Sequence, residues 1–449
     1  MIALAWPLAL TNLSQHAMTL TNAVILGWLS TEALAAATLA ANLYWVVMAP
    51  MLGCAFAAGP ILAQARGRGR LKGGAGRGWV REMRRGARAA LLAALLLTLP
   101  CLLLLWQGEA VLRALGQDPA LAALAGTYLN WMMWGLVPCA GFFVLRSFTA
   151  AMERPRPALV VTLLAVGLNA VFCWLLVFGT GAWGGFGIAG AGLASLLADL
   201  ILFGGLYAVV ALDRQLGRFR LLGRFWRWDA ARIAEIWRVG LPISGTLLLE
   251  IGVFSAAALA VGWFGAAAVA AHAIAVQVAA CTFMVPMGIG QAATARVGVL
   301  TGAGDAAGAR RAGWLAVALG AGFMAAAALG LMLGARWIAW GFLDQRDPVA
   351  AAAAGLGAVL LTVAGVFQLA DGVQAVASGA LRGLKDTRVP MLLAALGYWG
   401  LGMPVGLGLA FLAGLGPLGI WLGLAAGLAV VAGLMLRRWA RLAAAPALG

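Results

Sequence analysis

Charge is what this chain has least of. Asp, Glu, Lys and Arg make up 10% of its 449 residues, against roughly a quarter in soluble domains, so no soluble domain of ordinary composition is expected. Histidine is scarcer still: His16 and His272 are the only two. They lie far apart and outside the His-Glu-x-x-His spacing of a helical zinc site. Five cysteines, Cys54, Cys101, Cys139, Cys173 and Cys281, all fall in apolar segments. With neither paired nor metal-type spacing, they read as small hydrophobes and not as disulfide or metal partners. No Gly-x-Ser-x-Gly elbow and no paired catalytic Asp motif occurs, so nothing supports an enzyme. The glycine-rich run from Gly67 to Gly74 lacks the Gly-Lys-Ser/Thr ending and follows a helix, which rules out a nucleotide phosphate loop. The first residues, Ile2 to Pro7, carry no basic stretch and no cleavage-type site follows them. They read as the start of a spanning helix, not as a removable signal peptide.

What is abundant is apolar length. Hydrophobic residues make up 64% of the chain and the mean hydropathy is +0.97. A membrane-spanning helix takes about 20 mostly apolar residues. Twelve such segments use nearly all of the length, near 3–28, 33–64, 89–106, 120–148, 158–178, 187–211, 239–262, 266–295, 312–334, 348–381, 389–413 and 417–436. The expected fold class is all-α, a polytopic membrane protein of about twelve helices.

The connections alternate in charge. One side holds Arg66 to Arg88, Arg146 to Arg156, Arg214 to Arg238, then Arg296, Arg310, Arg311, Arg382, Lys385, Arg388, Arg437, Arg438 and Arg441. The other side has only Arg113, Arg336 and Arg346, so 28 of the 31 basic residues share one face. Basic loops stay in the cytoplasm, which predicts a multi-pass protein with both termini cytoplasmic. The net charge of +16 is then a set of loops facing anionic membrane lipids, and no nucleic-acid partner is expected. By the same reading, no Lys or Arg lies in mid-membrane. With no nucleotide site, an ion gradient is the expected source of energy for transport.

The halves are related. At an offset of 235, Pro7 falls on Pro242, Gly27 on Gly262 and Trp28 on Trp263. A second echo pairs Arg154-Pro155-Arg156-Pro157 with Asp386-Thr387-Arg388-Val389-Pro390. Six helices per half bring both repeats in from the same side, so they are parallel repeats. We expect a six-helix bundle over 1–212, a cytoplasmic linker over 213–232 and a second bundle over 233–449.

Among fifteen acidic residues, Glu250, Asp371 and Asp199 lie deep in apolar segments. Glu250 and Asp371 each lie about ten residues into their helices, about 15 Å deep at 1.5 Å per residue. A carboxylate at that depth costs at least about 2.5–3.5 kcal/mol, so it should face a wet cavity or hold a cation or proton. Gln368, Gln374 and Ser378 stand at i−3, i+3 and i+7 from Asp371 and form one polar stripe. Gln277, Asn22 and Asn169 are further polar residues placed to line a cavity. Asp199 is a secondary proton-site candidate, with a structural carboxyl as the plainer reading.

Several segments resemble the multidrug and toxic compound extrusion (MATE) family. Leu4-Ala5-Trp6-Pro7 with Thr11-Asn12-Leu13-Ser14-Gln15 is similar to its first helix, and Gly240-Leu241-Pro242 through Leu249-Glu250 to its seventh. Asp371 and the run from Gly379 to Pro390 resemble the helix 10 to 11 segment of the NorM-type bacterial branch. The resemblance implies two six-helix bundles and export of cationic amphipathic small molecules across the inner (plasma) membrane, driven by Na+ or H+. It also implies that Glu250 and Asp371 bind the coupling cation; no other cofactor is expected, and the sequence leaves the oligomeric state open, a monomer being compatible with it. This chain has Asn22 where the family has an acid in helix 1. It has Cys173 four residues after Asn169, and Phe367 where a tyrosine often precedes the helix 10 acid. A lipid-linked sugar or lipid flippase of the same superfamily is the alternative. The scarcity of buried bases argues against it.

Overall fold

A computed structural model describes residues 1–71, 77–180, 183–223, 226–343 and 350–444. Lys72, Gly74, Arg224 and Arg346 of the charge pattern, and the side chain of Arg77, lie outside the described residues. Twelve long helices run in sequence: α1 (Ile2–Leu29), α2 (Thr31–Leu71), α3 (Arg77–Trp106), α4 (Pro119–Ala151, with a 3-10 turn at Met133–Gly135), α5 (Arg156–Phe178) and α6 (Ile188–Leu212). The second six are α7 (Ala230–Gly262), α8 (Ala266–Gly302), α9 (Ala306–Gly341), α10 (Ala350–Gly383), α11 (Arg388–Leu412) and α12 (Pro417–Ala444). Among the described residues there is no β-strand, only an isolated bridge between Thr180 and Trp183.

Eleven of the helices are long and apolar enough to cross a membrane. α1 has the length, 28 residues, but Asn12, Gln15, His16 and Asn22 lower its hydropathy. In hydrocarbon every backbone N–H and C=O must be bonded within its own segment, which leaves helices as the solution for an Ala/Leu-rich chain. Several helices run longer than expected, and basic residues lie in much of the added length. α2 runs on to Leu71, α3 starts at Arg77 and α7 starts at Ala230. Arginine is itself a good helix former, so an arginine-rich loop extends a helix at little cost. Asp118 caps α4 through the N–H groups of Ala120 and Leu121 (2.9 and 3.1 Å), and Asp305 caps α9 through Gly308 (2.7 Å).

The chain divides into two compact units, Leu10–Ser244 and Met1–Ala9 with Gly245–Gly449. The division falls inside α1 and inside α7, in each case just past a helix proline, Pro7 or Pro242. These two breaks stand at the same offset as the sequence repeat.

In the unit Leu10–Ser244, the described residues of the stretch 213–232 are bound at several points. Arg154 pairs with Asp213 (3.0 Å) and Arg85 with Asp229 (2.7 Å). Arg88 donates to the carbonyls of Leu221 and Arg220 (3.1 and 3.3 Å). Phe219 is fully buried between Trp79 and Phe148, at ring distances of 5.4 and 5.2 Å, with Arg218 stacked over Trp79. The first turns of α7 follow the same unit: Trp237 donates to the Ala93 carbonyl (3.3 Å) and Ser244 to that of Pro50 (3.0 Å).

In the other unit α10 is the central helix, packed on α8, α9 and α12. Thr294 of α8 donates to the Gly379 carbonyl of α10 at 2.7 Å. α11 is irregular, with π-helical stretches at Ala395–Gly402 and Gly408–Leu412. It lies directly on α12, where a Cβ on Gly423 would meet the backbone of both Gly406 and Gly402 at under 3.0 Å.

The repeat is visible in the backbone. Glu153 and Lys385, just past the ends of α4 and α10, both adopt positive φ (55° and 63°). Matching capping bonds surround them: Glu153 N–H to Ala150 O and Arg154 N–H to Thr149 O (both 2.9 Å), then Lys385 N–H to Arg382 O (2.8 Å) and Asp386 N–H to Leu381 O (3.0 Å). The next residue is ion-paired in each half with the signs exchanged, Arg154 to Asp213 (3.0 Å) and Asp386 to Arg438 (2.7 Å).

Candidate functional site

The unit containing Gly245–Gly449 gathers its ionisable side chains where α7, α10 and α11 meet. Asp371 is 6% exposed and Gln374, one turn along α10, is 3% exposed. Glu250 of α7 is half-buried and interacts electrostatically with both Asp371 and Arg382. Tyr398 of α11 is 2% exposed. Its hydroxyl lies within electrostatic reach of Gln374, Glu250, Asp371 and Arg382. Two carboxyl groups and one guanidinium share an apolar bundle, so with all three ionised one negative charge would remain. A single monovalent cation or proton would neutralise it, and hard cations take the carboxylate and amide oxygens available here. Among the described residues no group of three or more His, Cys, Asp or Glu is placed to hold a metal ion, which leaves no multivalent site of that kind.

Gln368 lies fully buried one turn before Asp371 and turns to α8, donating to the Thr282 hydroxyl and to the Ala279 carbonyl (3.5 Å). Its side-chain oxygen and that of Gln374 are buried without a protein partner. Ser378 is 2% exposed farther along α10. Gln277 of α8 is half-buried and bonded to Cys281. Tyr398 and Arg382 are absent from the sequence reading of the site. One of only four tyrosines in the chain, placed inside an apolar helix, was the available signal for Tyr398. Arg382 ends its helix and so groups with the loop charges by sequence, yet it is half-buried and within electrostatic reach of Glu250.

The unit Leu10–Ser244 holds a mainly neutral cluster. Asn22 of α1 donates to the Ser195 hydroxyl of α6 (3.1 Å), which in turn donates to the Ala191 carbonyl (3.0 Å). Tyr128 of α4 is buried within electrostatic reach of both side chains. The Asn22 side-chain oxygen and both side-chain polar atoms of the fully buried Asn169 have no protein partner. Asp199 is half-buried, packs over Gly135 and lies within electrostatic reach of Tyr44, Tyr128 and Cys139.

Arg146 corrects the expectation that basic residues stay at the loops. It is 3% exposed inside α4 and donates to Asn12 and to Gln15 (3.0 Å) of α1, with Phe143 at 5.8 Å. The amide oxygens of α1 accept its N–H groups, so a position five residues short of the helix end can bury a guanidinium that the charge pattern assigns to a loop.

The MatE family model matches residues 7–175 and 242–407. A protein of Mesorhizobium japonicum named probable multidrug resistance protein NorM is 47% identical over 440 residues, covering 98% of this chain and 93% of that protein. One of the same name from Brucella suis is 43% identical over 440 residues, covering 98% and 92%. The solved eukaryotic MATE transporter AtDTX14 shares the fold, with a TM-score of 0.85 at 21% identity over 98% of this chain and 96% of that one. Both matched family segments open on the helix prolines Pro7 and Pro242, where the internal repeat and the division into units also fall: this multi-pass membrane protein belongs to the MatE family.

Proposed function

We propose that this chain is an antiporter that exports hydrophobic organic cations across the bacterial inner membrane in exchange for Na+ or H+. The names of the relatives support drug extrusion. The observation that carries the coupling is the meeting of Glu250 and Asp371 with Gln374 and Tyr398 in one buried cluster. Neighbouring carboxylates at low dielectric resist being ionised together, so they take up a proton or hold a cation. A cationic cargo loaded on the same protein competes with that charge, and release of one favours loading of the other. The neutral Asn22–Ser195–Tyr128 cluster offers no second deep carboxylate beyond Asp199, so coupling resides on Glu250 and Asp371. Both termini lie in the cytoplasm, and the basic loops face anionic lipid.

The test is efflux of ethidium from proteoliposomes under separately imposed sodium and proton gradients. One of the two gradients drives efflux in the wild type. Glu250→Gln and Asp371→Asn lose the gradient-driven component, whereas Asp199→Asn and Asn22→Ala keep most of it. Loss in Asp199→Asn with retention in Asp371→Asn would overturn the assignment. Lipid scrambling without ethidium efflux would overturn the exporter reading.

A further inference from the structure

Two consecutive residues of α11 reach two different helices of the site. Tyr398 is buried toward α10, within electrostatic reach of Asp371 and of Gln374 one turn along from it. Trp399 turns to α7, where its indole N–H donates to the Leu249 carbonyl at 3.2 Å, the residue immediately before Glu250. The indole also lies on Gly252: a Cβ there would come within 3.1 Å of Trp399 Cζ2. Glycine at 252 thus admits the ring on the same stretch of α7 that carries the carboxylate. Neighbouring residues on a helix point about 100° apart, so a Tyr-Trp pair at a helix junction can hold one partner on each side.

The segment that carries the pair is unusual in two ways. It lies in the π-helical stretch Ala395–Gly402. A π-turn is rare, holds an extra residue and shifts the direction of side chains after it. It is also backed without intervening side chains. A Cβ on Gly427 of α12 would meet Gly402 Cα at 2.8 Å, and one on Gly402 would meet the Gly423 carbonyl at 3.2 Å. α11 therefore cannot retreat from α7 and α10 without moving α12.

We propose that Tyr398 and Trp399 are positioning residues that set the separation of Glu250 and Asp371, by tying α10 and α7 to the π-helical segment of α11. The proposal rests on the reading that the two carboxylates hold the coupling cation. Trp399 is bonded to Glu250's helix and Tyr398 is buried against Asp371's, so losing either contact loosens the pair without removing a charge. The plainer role for the indole bond is to satisfy an N–H in an apolar environment. That role predicts a change in stability alone. Positioning predicts a change in how the cation is bound.

The experiment uses Tyr398→Phe, Trp399→Phe and Gly252→Ala in the full chain, with Gly433→Ala in open space on α12 as control. Efflux is measured against the concentration of the ion that drives the wild type, sodium or, for protons, against pH. Losing a hydrogen bond of about 1 kcal/mol corresponds to about a fivefold rise in the half-saturating ion concentration, with the maximal rate largely kept. In detergent, the rise of the thermal midpoint on adding the same ion is expected to shrink in all three variants and to be unchanged in Gly433→Ala. This second measurement needs no transport, so a poorly reconstituted variant still gives an answer. Unaltered ion dependence in both Tyr398→Phe and Trp399→Phe, with Glu250→Gln uncoupled, overturns the positioning role. Full coupling in Glu250→Gln would instead overturn the cation-site reading beneath it.

Discussion

At Arg146 a guanidinium is held among helices by neutral oxygens. Its planar fork reaches Asn12 and Gln15 together, which a lysine ammonium does not reproduce. Arg146→Ala takes a donor from each of two amide oxygens, and a buried polar group losing its partner costs about 1–3 kcal/mol. We expect a clear fall in the thermal midpoint of the purified protein, only partly recovered in Arg146→Lys. Asp213, outside the spans, behaves differently. Its carboxylate accepts from Leu216 and Gln215 N–H (3.0 and 2.7 Å) and pairs with Arg154, which hold it below its ordinary value of 3.8. A carboxyl whose pKa is lowered by folding stabilises the fold above its unfolded pKa and loses that as pH falls through the folded one. The turn at 213–216 should therefore open only in strong acid, below the usual carboxylate range, while Asp213→Asn opens it at neutral pH. Hydrogen exchange at the Gln215 and Leu216 amides measures both.

At the scale of elements, the crossing of α11 and α12 is set by absent side chains. Gly406, Gly423 and Gly427 bring the two backbones together at distances that no Cβ tolerates. Gly423→Ala must push the helices apart, and overpacking of this kind costs about 1–3 kcal/mol. Gly433 of the same helix has open space and should accept alanine at no loss. Thermal denaturation of the two variants in detergent checks the contrast. Helix α11 itself was legible as an apolar segment of the right length, near 389–413 against Arg388–Leu412. Its π-helical stretches were not, because the same Ala, Leu and Gly residues suit α and π turns alike, and packing on α12 selects between them.

For the whole molecule, orientation is the expectation that the charge partition carries and that solution chemistry can test. In a background lacking the five native cysteines, Gly184→Cys and Gly416→Cys should react with an impermeant maleimide added outside intact cells, while Gly223→Cys should not. Reaction at Gly223 alone would reverse the orientation. The internal repeat shows in the division of the chain as well. Breaks at 9/10 and 244/245 fall at one offset, two residues beyond a proline that leaves an i−4 carbonyl without its helical donor. The ion pairs that close each half, Arg154–Asp213 and Asp386–Arg438, keep their place in the repeat while exchanging sign. Complementarity is preserved there, not residue identity, so the sequence echo of Arg154 in Asp386 marks the position of the pairs but not their partners.

Apolar run length and the scarcity of charge were enough, by themselves, to determine an all-helical membrane fold, because hydrocarbon admits few other structures for a chain that must satisfy its own backbone. Depth along a helix likewise singled out Glu250 and Asp371 before any packing was known, since a carboxylate is costly wherever the surroundings are apolar. Which groups stand beside those carboxylates was decided only by tertiary structure. Tyr398 comes from another helix, Arg382 lies at a helix end, and Trp399 approaches over the bare backbone of Gly252. Periodicity reports how a residue faces along its own helix, but not which helix is packed there. The same limit hid Arg146, whose burial depends on two amides more than 130 residues away. Their reach across the bundle exists only once α1 and α4 are side by side.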